Sequence, residues 1–353
     1  MKILIIADDV TGALDSSVAF AGRGLSVLCA LTPDHVTEAL ARSPDVLAIS
    51  TNTREGSEQS AQNAVGAVWA ACQKLAPWSQ ALLFKKVDSR LKGHVAAELS
   101  GLGAARSSWL VSPAIPRFAR LVKSGTLFGA GIAEPISVAE RTQCPLSAIV
   151  DVTEDADLDA AVLNHGAETL FVGAAGLAEA LARRFAPARV KEFDCDLQGP
   201  ALFAIGSRDP ITLAQIETLK VAGIVPMPLP NGHADTAAAL PAALQVLQLT
   251  QGPETLDGQT VAQQFADTCS QFIARFEPQT LVASGGETAA EIARQLGCGV
   301  LQVLGERLPG LPVSTMVDGR PGMTVITKSG GFGTPETLVK LAQNFIALPD
   351  API

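Results

Sequence analysis

Three oxygen-bearing side chains follow the first apolar stretch of the chain, where a buried strand would end and a helix would begin. Asp8, Asp9 and Thr11 come directly after the segment KILIIA at residues 2–7, and Asp15 lies one helical turn further on. A helix N-cap accounts for Asp9 or Thr11, but not for the whole set. The other oxygens are suited to hold polyol hydroxyls or a metal ion, or to accept a proton.

A second polar cluster, FKKVDSRLKGH at residues 84–94, lies at the end of the predicted fourth strand. This cationic segment in an acidic chain fits either a solvated loop or the capture of a carboxylate. Asp88 lies among cations that would keep it ionised, so it is a candidate base. Arg120, in the loop 113–131, would add positive potential to the same face. The candidate substrate contacts in the segment are Lys86, Ser89 and Arg90.

Glycine-rich turns follow three predicted strands in the second half of the chain. They read GSRDPIT (206–212), SGGET (284–288) and KSGGFG (328–333). Either of the first two, taken singly, is also explained as an ordinary capped turn, whereas the third is more typical of a phosphate cradle. The candidate phosphate contacts are Ser207, Gly285, Gly286, Glu287, Thr288, Lys328, Ser329, Gly330, Gly331 and Gly333.

Several familiar functional patterns are missing from the sequence. It contains no GxxxxGK[ST] P-loop, no GxGxxG after a strand, no HExxH and no GxSxG. The six cysteines form no CxxC pair, which favours reduced thiols. The net charge of −9 argues against a nucleic-acid partner. An anion-binding half with acids beside a half with phosphate-type turns indicates phosphoryl transfer.

Apolar runs alternate with amphipathic stretches along the 353 residues. This pattern predicts an α/β fold of two domains, each a largely parallel sheet with helices on both faces. We expect an N-terminal domain at 1–190, a linker at 186–200 and a C-terminal domain at 200–353. A strand is expected at 147–151 and a helix at 235–249. Ligands bind beyond the carboxyl ends of such strands, so the active site is expected in the interdomain cleft.

Two features predict a cytoplasmic protein without a membrane partner. The N-terminal apolar run, Ile3 to Ala7, is too short for a signal peptide, and no run of about 18 apolar residues follows it. Oligomeric state is left open, with a homodimer as one alternative.

The motifs, in this order, resemble the four-carbon acid sugar kinase family, long catalogued as a domain of unknown function. The resemblance spans nearly the whole chain and rests on ADD-TGA-D (7–15), KKVDS-L-G (85–93), PAIP (113–116), GAAGLA (173–178), GS (206–207), GGET (285–288) and KSGGFG (328–333). It implies an N-terminal domain that binds threonate, erythronate or 3-oxo-tetronate. The C-terminal domain would bind ATP, whose γ-phosphoryl group passes to the terminal C4 hydroxyl of the acid.

The resemblance also implies roles for individual residues. Asp8, Asp9, Thr11, Lys86, Asp88 and Ser89 would lie at the acid, and Ser207, the turn at 285–288 and the loop around Gly330 would contact ATP. This chain departs from the family at Arg90, where a small hydroxyl residue is more usual, and at Lys92, where arginine is usual.

The sequence therefore predicts an ATP- and Mg²⁺-dependent sugar-acid kinase. Asp9 or Asp88 would accept the hydroxyl proton, and Lys328 or loop N–H groups would neutralise phosphoryl charge. Lys86, Arg90 and Arg120 would bind the substrate carboxylate, while the metal ligands are not assigned. The alternatives are a non-catalytic regulator that binds sugar acid and nucleotide, and an oxidoreductase. The phosphate-type turns weigh against the regulator, and the missing GxGxxG weighs against the oxidoreductase.

Overall fold

The computed structural model describes residues 2–75, 78–103, 106–186, 196–233 and 243–347. The chain divides into a first unit, residues 1–192, and a second unit, residues 193–353. The predicted linker at 186–200 falls largely outside the described residues. As predicted, the fold is α/β with mostly parallel strands.

The first unit alternates strands with helices, because short fully apolar runs are separated by amphipathic stretches. Its six parallel strands lie in the order β2-β3-β1-β4-β9-β5, and β6, β7 and β8 form a small antiparallel sheet. In chain order the elements are β1 (Ile3–Ala7), α1 (Val10–Ala21), β2 (Val27–Ala30), α2 (Val36–Ala41), β3 (Val46–Ser50), α3 (Glu58–Gln73), β4 (Leu82–Lys86), α4 (Val95–Leu102), β5 (Ser108–Ser112), β6 (Arg120–Lys123), β7 (Thr126–Gly129), β8 (Ile136–Ser137), α5 (Val138–Thr142), α6 (Asp155–Val162), β9 (Thr169–Gly173) and α7 (Ala175–Phe185).

Strand β1 lies between β3 and β4 in this sheet. Every residue of β1, β3 and β4 is buried, which is the pattern of strands covered on both faces. Because the three strands run parallel, the segments that follow Ala7, Ser50 and Lys86 meet at one edge of the sheet. That edge is where the polar residues of the first unit collect.

Within the described part of the second unit, the strands of a mixed sheet lie in the order β11-β12-β10-β13-β16-β15-β14. The strands from β11 to β16 in that order are parallel, and β15 runs antiparallel to both β16 and β14. Phe203, Val282 and Ile326 pack in its core with Leu338 and Leu341. Its elements are β10 (Ala201–Ile205), α8 (Pro210–Val221), β11 (Met227–Pro230), β12 (Leu244–Thr250), α9 (Gly258–Phe276), β13 (Thr280–Ser284), α10 (Gly286–Gln295), β14 (Val300–Leu308), β15 (Leu311–Met316), β16 (Thr324–Lys328) and α11 (Thr337–Ala342).

Two predicted elements are wrong. The strand predicted at 147–151 is a 3₁₀ turn at Leu146–Ala148 followed by a single bridge from Ile149 to Val111. The helix predicted at 235–249 ends in strand β12 instead, and residues 234–242 lie outside the described part of the chain. In β12, parallel pairing with β10 and β11 on either side overrides the local helix pattern.

Within the described ranges, no helix is both long and apolar enough to cross a membrane. The cytoplasmic location and the homodimer stay predictions.

Helices α3 and α4 approach closely at two glycines, and this contact provides a test of the packing. A Cβ on Gly66 would lie 3.0 Å from the Gly101 carbonyl oxygen, and a Cβ on Gly101 would collide with the Gln62 carbonyl. We expect Gly101→Ala to lower the free energy of unfolding by about 1–3 kcal/mol, because overpacking outweighs the gain in helix propensity. Urea denaturation measures the change.

Gly22→Ala is the matched control, since its Cβ would meet backbone oxygen only at 3.6 Å, an ordinary contact. Equal denaturation midpoints for the two variants would contradict the close approach of the helices.

Candidate active site

The buried carboxylate of Asp8 forms a two-point ion pair with Arg54 at the first unit's polar edge. Asp8 is 2% exposed and accepts two hydrogen bonds from Arg54, from Nε to Oδ2 at 2.7 Å and from Nη2 to Oδ1 at 2.8 Å. Burial alone would raise the pKa of Asp8, but the Arg54 guanidinium, with Lys85 and Lys86 nearby, leaves that pKa lowered. Asp8 is therefore an anion at neutral pH.

Asp9 is the N-cap of α1, with Oδ1 accepting the Gly12 N–H at 2.8 Å. Its Oδ2 accepts two more hydrogen bonds, from the Thr11 hydroxyl and from Arg54 Nη1, each at 2.7 Å. Capping thus accounts for one oxygen of Asp9. The second oxygen, Oδ2, accepts from both Thr11 and Arg54, and the Arg54 guanidinium also binds Asp8.

Asp88 lies in the turn after β4 and shapes that turn. Its Oδ1 accepts the Arg90 N–H at 2.8 Å, and Lys92 Nζ lies 3.9 Å from Oδ2. Burial opposes the charge, but Arg54, Lys92 and Lys86 and the Arg90 N–H outweigh it and lower the pKa of Asp88 to about 2. Asp88 is therefore a weaker proton acceptor than an ordinary aspartate.

The two lysines at the end of β4 have different surroundings. Lys85 Nζ lies 3.2 Å from Glu98 Oε2 and donates to the Lys86 carbonyl, so it forms a buried ion pair. Lys86 Nζ donates to the Val87 carbonyl at 2.9 Å. A Cβ on Gly12 would lie 2.6 Å from Asp9 Oδ1 and 3.2 Å from Lys86 Nζ, so a larger residue here would crowd both groups.

Ser89 and Arg120 are brought together although 31 positions separate them in sequence. Arg120 is 4% exposed, donating from Nη1 to Ser89 Oγ at 2.7 Å and from Nε to the Ala130 carbonyl at 3.1 Å. A Cβ on Gly131 would lie 3.6 Å from Arg120 Nη2 and 3.9 Å from Arg90 Nη1. The guanidinium groups of Arg90 and Arg120 therefore converge on one short segment, as an anion site requires.

In the second unit, the turns after β10 and β13 face each other. Gly285 has φ +114° and begins α10, and a Cβ there would lie 3.2 Å from Thr288 Oγ1 and 3.4 Å from the Ser207 nitrogen. Ser207 N–H donates to the Ser284 carbonyl at 3.0 Å. The structure thus brings Ser207, Gly285 and Thr288 into one place.

Lys328 supports the loop Ser329–Gly333 from the inside. Its amine is fully buried and donates to Thr212 Oγ1 at 2.9 Å and to the Ser329 and Gly330 carbonyls at 3.1 and 3.2 Å. Burial lowers the pKa of Lys328 to about 8, although Asp209 acts in the opposite direction. Gln215 Nε2 holds the far side of the loop by donating to the Phe332 carbonyl at 3.0 Å.

A cavity of about 470 Å³ opens beside the turns that follow β10 and β13, and all of its lining residues belong to the second unit. Gly206, Glu287 and Thr288 line one part of it, and Leu249, Leu256 and Val261 supply apolar surface. Most of the other lining residues are polar, among them Arg208, Asn231 and Glu254. The volume lies within the roughly 300–1,000 Å³ that is typical of small-molecule sites. Across the described parts of the chain, no cluster of three or more His, Cys, Asp or Glu side chains could hold a metal ion.

Sequence reasoning missed three contributors to these sites: Arg54, the Lys85–Glu98 pair and the cavity. Arg54 follows β3 in the run TNTREG at 51–56, so the criterion that selected Asp8 and Asp88, polar residues after a strand, would also have selected Arg54. The ion pair and the cavity depend on tertiary contacts, which leave no local pattern.

Family models match both halves of the chain. Residues 3–147 match a sugar-binding N-terminal domain, and residues 232–338 match a nucleotide-binding C-terminal domain. A D-threonate kinase of Bordetella bronchiseptica is 27% identical to the chain, over 96% of the chain and 96% of that relative. A D-threonate kinase of Salmonella typhimurium is 26% identical, over 96% of the chain and 97% of that relative. A 3-oxo-tetronate kinase of Cupriavidus necator is 28% identical, over 54% of the chain and 50% of that relative.

Solved structures share the fold. A Salmonella typhimurium LT2 structure described as a tRNA synthase has a TM-score of 0.72 at 18% identity and covers 98% of this chain and 100% of its own. Haemophilus influenzae protein HI1011 has a TM-score of 0.64 at 17% identity, with the same coverage. The matches to both halves, and to kinases over nearly the full length, define a sugar-acid kinase. The chain belongs to the four-carbon acid sugar kinase family, as its motifs predicted.

The lowered pKa of Asp88 predicts a pH-dependent contribution to stability. Because the folded-state pKa is about 2 and the ordinary value is 3.8, the charged form stabilises the fold above about pH 4, and this stabilisation is lost as the pH falls towards 2. We expect Asp88→Asn to lower the free energy of unfolding by about 2 kcal/mol at pH 7. Urea denaturation at a series of pH values measures the difference, which should narrow below pH 4; a difference that is constant with pH would contradict the assignment.

Proposed function

We propose that the chain transfers the γ-phosphoryl group of ATP to the C4 hydroxyl of a four-carbon sugar acid, with D-threonate as the first acid to test. The observation that carries the proposal is that each polar cluster lies within the family-model match of the corresponding function. The polar edge formed by Asp8, Asp9, Asp88 and Arg120 falls within the sugar-binding match, and the turns at 285–288 and 328–333 fall within the nucleotide-binding match. Three relatives named D-threonate kinase, each aligned over 96% of the chain, support that choice of acid.

On the acceptor side, Lys86, Arg90 and Arg120 would bind the substrate carboxylate. The convergence of two guanidinium groups near Gly131 supports this role. Asp8 and Thr11 would hold the hydroxyl groups, together with Ser89.

Asp9 is the base that we favour for the C4 hydroxyl. The pKa of Asp88, about 2, makes that carboxylate a poor proton acceptor at neutral pH. Asp88 would instead keep the 88–92 turn in shape.

On the donor side, the cavity beside Glu287 and Thr288 has the size for an adenosine group, and Leu249, Leu256 and Val261 would contact the base. Ser207 and the turn at 285–288 would bind phosphate oxygens at the N-terminus of α10. The 329–333 loop would hold the terminal phosphates, with Lys328 acting from beneath it. This differs from the expectation of direct contact between Lys328 and phosphate.

Mg²⁺ would enter with the nucleotide, since phosphate oxygens supply most of its ligands in kinases. We assign it no protein ligand. Phosphoryl transfer of this kind depends mainly on positioning and charge neutralisation, which the cationic groups of both sites would supply.

The direct test is acid-dependent ADP formation by the purified chain with ATP and Mg²⁺. D-threonate, L-threonate, erythronate and 3-oxo-tetronate form the panel, and at least one should be converted to its 4-phosphate, detected by mass spectrometry. If the acids and ATP both raise the melting temperature but no ADP forms, the chain is a binding protein rather than an enzyme.

We expect Asp9→Asn to retain ATP binding and lose at least about 10²-fold in kcat, because removal of the base eliminates general-base catalysis of roughly that size. Asparagine is as good an N-cap as aspartate, so α1 should remain intact. Isothermal titration with ATP and initial rates measure the two effects. Weakened ATP binding with an unchanged kcat would place Asp9 on the donor side instead.

We expect Lys328→Met to weaken ATP binding by roughly 10-fold or more, since the buried charge and the three contacts that shape the loop are lost. ATP affinity of the unmodified chain should also fall as the pH rises through about 8, where Lys328 loses its proton. Titration calorimetry at several pH values measures both. Lys340→Met, an exposed lysine on α11, is the control and should bind ATP normally; equal affinities for the two variants would show that Lys328 does not support a nucleotide site.

A further inference from the structure

Arg54 contacts Asp8 and Asp9 at the polar edge of the first unit, and its charge also lowers the pKa of Asp88. Each of its three guanidinium nitrogens donates to a carboxylate oxygen, two on Asp8 and one on Asp9, over 2.7–2.8 Å. It is also the largest favourable charge acting on Asp88. The three aspartates follow β1 and β4, whereas Arg54 follows β3, so one side chain joins the ends of three neighbouring strands.

The loop that carries Arg54 is fixed in place by its backbone. Thr51 N–H donates to the Ala7 carbonyl at 2.9 Å, and Thr53 N–H donates to the Asp8 carbonyl at 3.0 Å. His94 Nε2 lies 2.6 Å from the Gly56 carbonyl oxygen, tying the end of the loop to the segment before α4. The guanidinium is therefore held at the carboxylates by the strand ends rather than by a flexible approach from solvent.

We propose that Arg54 is the positioning residue of the acceptor site: it holds the Asp8 and Asp9 carboxylates in one arrangement and supplies the positive charge that lets an anionic sugar acid approach them. The inference rests on the proposed function and adds a residue and a role to it.

The physical need for Arg54 follows from the charges that meet at this edge. Asp8, Asp9 and Asp88 would repel a substrate carboxylate. Besides Arg54, the cations acting on Asp8 or Asp88 are Lys86 and Lys92, together with Lys85, which is paired with Glu98. The guanidinium groups of Arg90 and Arg120 converge near Gly131. Without Arg54, Asp8 would be a buried charge that has lost its guanidinium partner, which favours its protonation or rotation. The engagement of all three Arg54 nitrogens by aspartates also leaves the substrate carboxylate to Arg90 and Arg120.

A guanidinium is specifically suited to this task. Its planar fork binds both oxygens of Asp8 while the third nitrogen reaches Asp9, whereas an ammonium group is a point charge without that geometry. Arg54→Lys should therefore keep the charge but lose the alignment, and Arg54→Met should lose both.

Carboxyl ¹³C NMR of aspartate-labelled protein tests the electrostatic part without any assay of activity. The resonances of Asp8 and Asp88 are assigned from Asp8→Asn and Asp88→Asn. In Arg54→Met, we expect the titration midpoints of both carboxyl groups to rise by about 1–3 pH units, the range for loss of a neighbouring opposite charge. Unchanged midpoints would overturn the proposal.

Kinetics test the positioning part. In Arg54→Lys we expect kcat/KM for the acid to fall by on the order of 10²-fold, as misplaced catalytic groups do, with ATP affinity unchanged. Arg183→Lys, at the Arg183–Asp159 pair elsewhere in the first unit, is the matched control and should behave as the unmodified chain.

The two proposals fail in different ways. Absence of acid-dependent turnover by the unmodified chain would refute the kinase assignment, but the NMR titration would still decide the role of Arg54. A normal kcat/KM for the acid in a folded Arg54→Lys, beside an active unmodified chain, would refute the role of Arg54 alone. Because Arg54→Lys retains the charge, it provides a folded variant if Arg54→Met does not fold.

Discussion

The compensation of buried carboxylates by one guanidinium is the constraint on which the first unit's polar edge depends. Placing Asp8 at 2% exposure would be costly for an ionised group on its own, and Arg54 offsets that cost through two short hydrogen bonds. The same side chain bonds to Asp9, which also begins α1. Strand order, helix capping and site electrostatics are thus coupled, because the parallel neighbours β1, β3 and β4 deliver the participating residues to one edge.

The second unit uses a buried cation in a comparable way. Lys328 is the last residue of β16 and directly precedes the glycine loop. Its amine donates to carbonyl oxygens of that loop and to the Thr212 hydroxyl of α8. A charge that neutralised phosphate directly would need to point outwards. From beneath the loop, Lys328 instead fixes the backbone and contributes positive potential through it, and burial moves its pKa to about 8. In both units, therefore, a buried charged side chain, Asp8 or Lys328, helps to shape the polar site.

The sequence predicted much of this arrangement, since the relevant information is local. Apolar runs followed by Asp8 and Asp9, by Asp88, or by glycine turns are visible in a single stretch of chain, and those residues lie at strand ends in the structure. The Arg54–Asp8 pair was missed because 46 positions separate the partners, and only sheet pairing makes them neighbours. Strand β12 was predicted as helix, since its pairing with two other strands is likewise invisible to local periodicity.

The parallel register of β1 with β3 has a consequence for how the chain can change in length. Ala7 pairs with Ser50. Beyond this pair, the Thr51 and Thr53 N–H groups donate to the Ala7 and Asp8 carbonyls, directly before Arg54. A residue inserted or deleted between Ser50 and Arg54 would turn the guanidinium away from Asp8. Connections at the opposite edge of the sheet, such as the segment Gly22–Ser26 before β2, carry no such requirement. Loop-length variation among homologous chains should therefore accumulate at the amino ends of the strands and be scarce at the carboxyl ends.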